Sequence, residues 1–123
     1  MRFVPTRVHA VVDYLAAGVL IGAPILFGST KKDARTWLPV ALGIGTIAYS
    51  VLTDYELAVV RVVPMPVHLA LDAANGALLA ASPWLFGFAD EVSAPHVAFG
   101  LFEIGAALMT KSAAGDVPGL TAA

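Results

Sequence analysis

At 123 residues the chain has room for one domain rather than two, and with 59% hydrophobic and 13% charged residues it departs from the roughly 45–50% and about 25% of soluble domains. Its mean hydropathy of +0.82 argues against a water-soluble bundle, because runs such as Leu15 to Gly28 and Ala73 to Phe88 leave almost no polar residue for a solvated helix face. A net charge of −2 without any basic run excludes nucleic acid as a partner, and the absence of cysteine excludes disulfides, thiolate metal sites and thiol catalysis.

Taken from the N-terminus, Arg2 and Arg7 ahead of an apolar run resemble a secretory signal. Asp13 interrupts that run, and the same pattern returns in mid-chain. The first segment is therefore read as a helix, Val8–Phe27, with Pro5 at its start and Gly28 just beyond its end. A short loop carrying Lys31, Lys32, Asp33 and Arg35 leads to a second helix, Thr36–Thr53. Residues Asp54 to Met65, with the β-branched run Val59, Val60, Val62 and Val63, are expected to lie along a membrane interface as a short amphipathic piece. Pro66 then opens a third helix, Val67–Phe88, and Gly87 falls near its end. An acidic loop around Asp90 and Glu91 precedes a fourth helix, Ala94–Thr110, and residues 111–123 read as a frayed tail.

The second half repeats the first. His9, Asp13, Pro24, Phe27 and Gly28 are matched by His68, Asp72, Pro83, Phe86 and Gly87, each 59 positions on, while Ala41, Gly43 and Thr53 are matched by Ala98, Gly100 and Thr110, each 57 positions on. The repeats, 5–53 and 64–110, are two tandem helical hairpins. Their helices, about 17 to 22 residues long, suit the roughly 20 needed to cross a bilayer. Lipid demands that backbone groups pair internally, so four crossings imply four helices. The expected fold is all-α: a four-transmembrane-helix bundle of two hairpins related by a pseudo-twofold axis along the membrane normal. The lipid bilayer is the expected partner. Arg2, Arg7, Arg61 and Lys111 on one face, against Lys31, Lys32 and Arg35 on the other, lean towards both termini in the cytoplasm.

Within "ASPWLFGF", the residues Ser82-Pro83-Trp84 resemble the signature of the SPW-repeat family of small bacterial integral membrane proteins, named for that tripeptide in the first helix of a transmembrane pair. The resemblance covers nearly the whole chain, including "PMPVHLALD". The first copy reads Ala23-Pro24-Ile25 instead, so the contribution of Ser82 and Trp84 is not duplicated. The resemblance implies a multi-pass protein of the bacterial inner membrane and supplies no activity.

Chemistry concentrates in a few positions. His9 and Asp13 are four residues apart, as are His68 and Asp72, so each pair shares a helix face. Glu103 lies about 10 Å before the end of the fourth helix, a depth similar to that of Asp72. Its repeat counterpart is Thr46. Buried ionisable groups are costly in a membrane and face a bundle interior or a cavity. Three uses compete for these five side chains. They can lock the helices through hydrogen bonds. They can hold a metal or cofactor, the ligand types suiting zinc, iron or copper. They can relay protons or ions. Catalysis is the least supported class, since no nucleophile with an adjacent base and no phosphate-cradling glycine loop is present.

Of the remaining residues, His96 reads as interfacial and Trp37 and Trp84 as anchors at the opposite membrane face. Gly18 and Gly22, with Ala73, Ala77 and Ala81 in the second copy, permit close helix approach. Packing between the two hairpins is the expected use, and self-association or docking on a larger membrane complex the alternative. The sequence thus describes a structural or accessory membrane protein, with a small ion-, proton- or metal-handling protein as the second reading.

Overall fold

A computed structural model describes residues 2–26 and 32–112. Four helices account for its regular structure: α1 (Thr6–Leu26), α2 (Ala34–Ser50), α3 (Met65–Leu85) and α4 (Ala94–Met109). The expected all-α architecture of two hairpins is present, with boundaries moved by up to three residues. Pro5 immediately precedes α1 and Pro66 lies in the first turn of α3, where an absent N–H leaves no bond unmade. Asp33 opens α2 by accepting a hydrogen bond from the Arg35 N–H at 3.1 Å, satisfying one of the free donors of the first turn. Gly28, Lys31 and most of the expected tail lie outside the described residues.

The end of α3 uses the SPW residues directly. Ser82 is fully buried and its hydroxyl donates to the Leu79 carbonyl at 2.7 Å. Gly87 turns the chain out of the helix at φ +75°, a conformation open to glycine at little cost. This lets the Phe88 N–H reach the Pro83 carbonyl at 2.8 Å, the closing bond of a Schellman-type terminus. Trp84, in contrast, is 64% exposed. Trp37 is also exposed, its ring edge-on to Phe86 at 6.0 Å.

Within each hairpin the helices meet at glycine, Gly43 in the first and the facing pair Gly76 and Gly100 in the second. A Cβ on Gly43 would lie 2.9 Å from the Ala17 carbonyl oxygen, and one on Gly100 would fall against the Gly76 carbonyl and 2.6 Å from the Ala80 nitrogen. Gly43 and Gly100 are repeat equivalents, as are Ala17 and Gly76. The close approaches therefore fall within hairpins and not on the expected stripe between them. Gly18 has open space around it, Gly22 meets only Leu26 of its own helix, and Ala77 points outward. Ala73 alone of that set packs against a buried cluster, formed by Ala10, Tyr55, Met65, Leu69 and Ala107; Ala81 is half-buried.

The hairpins are joined by exchanging ends. Ahead of α1, the Phe3 and Val4 N–H groups donate to the Met109 carbonyl at the end of α4, and the Lys111 N–H returns a bond to the Val4 carbonyl, all at 2.9 Å. Ahead of α3, Val62 and Val63 donate to Leu52 at 2.9 and 2.7 Å, and Asp54 donates to Val63 at 2.7 Å. The two sets superpose residue for residue on the repeat. The segment between the copies is thus not an amphipathic helix. Its valines favour extended backbone, and its amides go to the end of α2. At the opposite end, Arg35 reaches from α2 to Glu91 in the α3–α4 loop at 2.8 Å, and the His96 Nε2–H donates to the Arg35 carbonyl at 2.9 Å. His96 is buried against Phe88, so it serves as a clasp rather than a surface residue.

Eleven polar or charged residues are buried among the described residues, as many as there are buried hydrophobic ones. Meanwhile Leu15, Ile25, Ile44, Val67, Leu85, Leu101 and Leu108 face outward. By length and composition, α1 is the one described helix that is long and apolar enough to cross a membrane.

Candidate functional site

His9 and Asp13 on α1 and His68 and Asp72 on α3 meet at the centre of the molecule, and all four are buried. Each histidine bonds more closely to the aspartate of the other hairpin than to that of its own helix. His9 Nε2 lies 2.7 Å from Asp72 Oδ2 and 3.1 Å from Asp13 Oδ1, while His68 Nε2 lies 2.8 Å from Asp13 Oδ2 and 3.1 Å from Asp72 Oδ2. The i, i+4 spacing placed each pair on one face, and the pseudo-twofold axis turns the two faces towards each other.

The far side of each ring is fixed by a threonine. His9 Nδ1 lies 2.6 Å from Thr110 Oγ1, and His68 Nδ1 lies 2.6 Å from Thr53 Oγ1. Each hydroxyl spends its proton on the carbonyl four residues back, Thr110 on Ala106 at 2.6 Å and Thr53 on Tyr49 at 2.7 Å. The hydroxyl oxygens can then only accept, so both Nδ1 atoms carry hydrogen and donate. Both Nε2 atoms consequently face a pair of carboxylates. Two arrangements satisfy them: Nε2 protons that pair each ring with the aspartates, or lone pairs directed at a shared cation. Tetrahedral coordination at about 2.0–2.2 Å separates neighbouring ligand atoms by about 3.3–3.5 Å. The His–Asp separations are 2.7–3.1 Å, and with one ligand atom taken from each residue the four atoms lie within 4.8 Å of one another, so modest shifts would bring them to that geometry.

Two tyrosines complete the shell. Tyr49 OH donates to Asp72 Oδ1 at 2.5 Å and accepts from Asn75 Nδ2 at 3.2 Å, and Tyr55 OH donates to Asp13 Oδ2 at 3.0 Å. Burial first, and the charge of Asp13 second, hold the Tyr55 phenol above its ordinary range, so it remains a donor. Neither tyrosine was singled out from sequence. Tyr49 has Ala106 at its repeat position, and a search for matched residues passes over it. Thr53 and Thr110 were visible as a matched pair, without a role until the rings came into view.

Glu103 is not bonded into the quartet. It is half-buried and lines a small cavity that His9, Asp13 and Asp72 also line. Of the five candidates, then, four bond to one another and the fifth faces them across a cavity large enough for a water molecule.

Duplicated hairpins that close their ends reciprocally around a buried His/Asp quartet define a pseudo-symmetric four-helix protein. The chain belongs to the SPW repeat domain family, whose model matches residues 7–110 and so takes in both hairpins. No curated protein and no solved structure shows a significant match to it.

Proposed function

We propose that this chain is an integral membrane protein of four spans that binds a divalent transition-metal ion, zinc being the best suited, at His9, Asp13, His68 and Asp72. The observation that carries this reading is the pair of threonine contacts. Metal-bound imidazoles characteristically donate their second N–H to an oxygen that fixes ring and tautomer, and Thr53 and Thr110 do this for both rings. Two imidazole nitrogens and two carboxylates form a ligand set that zinc accepts in tetrahedral geometry. Membrane placement is supported by the outward apolar side chains and the polar interior, since exposed apolar area of this extent marks contact with lipid or protein. The excess of Arg2, Arg7, Arg61 and Lys111 at the end bearing the termini favours a cytoplasmic location for that end, in the inner membrane of a bacterium.

A structural role is the second reading. It is favoured by the fact that the four side chains, as two protonated histidines and two aspartates, satisfy one another completely. Titration of detergent-purified protein with Zn²⁺ against a chromophoric chelator separates the two. The metal reading expects one ion per chain and loss of binding in His9→Gln and His68→Gln. A protein that takes up no zinc, yet unfolds more readily in both variants, is a brace and not a metal carrier. Retention in the membrane pellet after alkaline carbonate extraction checks the placement in lipid.

A further inference from the structure

The pseudo-twofold symmetry fails at one place, and the failure opens a route to the quartet. The axis maps α2 against α3 onto α4 against α1. The first pair is packed; the second lacks a comparable contact among the described residues. The reason lies in three substitutions between the copies. Where α2 and α3 carry Tyr49 and Asn75, bonded to each other and to Asp72, the equivalent positions on α4 and α1 are Ala106 and Ala16. Where α2 carries Thr46, whose hydroxyl is spent on the Leu42 carbonyl at 2.8 Å, α4 carries Glu103. One side of the quartet is therefore filled and sealed by a phenol. The other is a cavity lined by Ala16, Ala106, Glu103 and the buried carboxylates, with Thr46 of α2 on its far wall, reaching the exposed ring of Phe102.

We propose that this cavity is the entry chamber for the cation and that Glu103 is the carboxylate that receives it, an inference that rests on the metal reading of the quartet. A brace needs neither a hollow nor a third acid beside it. An unmet carboxylate inside an apolar bundle costs free energy, and among the described residues Glu103 makes no hydrogen bond that offsets this. What it does supply is a carboxyl group beside the quartet that an arriving cation can ligate by displacing its proton, since metal binding to a carboxylate releases that proton. The chamber is walled in part by His9, Asp13 and Asp72 themselves. Tyr49 closes the symmetric approach, so one hairpin seam admits the ion and the other holds the site shut.

Stopped-flow mixing of the purified protein with Zn²⁺ tests this. Ala106→Tyr rebuilds on the open side the residue present on the closed one, and should slow both association and dissociation about tenfold or more while the Kd stays within about threefold, as expected when a path and not a site is blocked. Glu103→Gln keeps the shape and removes the ionisable ligand, and should slow association by about three- to tenfold. Should Ala106→Tyr fail to fold, Ala16→Asn narrows the same cavity from α1 and carries the same expectation. If the wild type binds zinc and its rates are indifferent to Glu103→Gln and to whichever cavity-filling variant folds, the entry chamber is overturned and the quartet stands. If the wild type binds no zinc, the quartet reading falls first and the chamber with it.

Discussion

A single methyl group added at Gly100 should destabilise the protein more than the same group at any other described glycine of a helix except Gly76. The Cβ of Gly100→Ala would press on the Gly76 carbonyl, 2.6 Å from the Ala80 nitrogen and 2.8 Å from the Ala80 Cβ. All three neighbours belong to the α3 backbone or to a methyl without freedom to rotate away, so α3 and α4 must separate. Overpacking of this kind costs about 1–3 kcal/mol, and a clash with backbone belongs at the upper end. Gly43→Ala meets the Ala17 carbonyl at 2.9 Å, but another of its contacts, at 2.9 Å, is the Ile21 Cγ1 atom, which can yield; about 1–2 kcal/mol is expected there. Gly18→Ala and Gly105→Ala meet nothing within 4 Å and should be neutral or slightly stabilising, since alanine is the better helix former by up to about 1 kcal/mol. Reversible denaturation in mixed micelles, followed by the fluorescence of Trp37 and Trp84, reads the series. The packing argument fails if Gly100→Ala unfolds with the wild type, or if Gly18→Ala loses as much as Gly100→Ala.

Thr110→Val and Thr53→Val each strand an imidazole N–H and should cost about 1–3 kcal/mol; in a zinc competition titration each should also weaken binding by about 10–100-fold. Equal losses in the two variants are expected from the repeat, and a loss of stability with unchanged zinc affinity would deny the threonines any part in the metal site. Tyr49→Phe leaves Asp72 Oδ1 without its donor and Asn75 without its acceptor, and should lower stability by about 1–3 kcal/mol in the same denaturation assay. Gly87→Ala forces a side chain into the left-handed region at φ +75° and should cost about 1–2 kcal/mol. Trp84→Ala, at an exposed position one residue from buried Pro83, should leave the unfolding curve in place, whereas Ser82→Ala should shift it by about 1 kcal/mol through the lost bond to Leu79.

The architecture was legible because duplication writes each element twice. Matched histidines, aspartates and threonines at constant offsets marked two hairpins, and the hydropathy of the runs between them left no alternative to helices. The quartet was legible as four residues on two faces. Its cross-pairing was not, because spacing along a helix reports which side chains share a face and says nothing about which helix lies opposite. The glycine contacts were misplaced for a related reason. Gly18 and Gly22 form a local pattern that any helix can carry on an outward face, whereas Gly43 and Gly100 are solitary and become contacts only through Ala17 and Gly76 on the neighbouring helix. Tyr49 and Asn75 depart from the repeat, so a reading built on matched positions passed over them, whereas Glu103 stood out as a lone acid in an apolar helix with Thr46 at its repeat position.

The reciprocal ending of the hairpins has a consequence for assembly. A solitary hairpin would present a ring nitrogen with no hydroxyl, a carboxylate without its closer imidazole and strand-like amides with no carbonyl, and the object that supplies all three is a second copy of itself. The present chain is in effect two such halves tied together through residues 54–63. Cutting that tie should therefore yield two fragments that find each other in the bilayer, each templating the other's last turn.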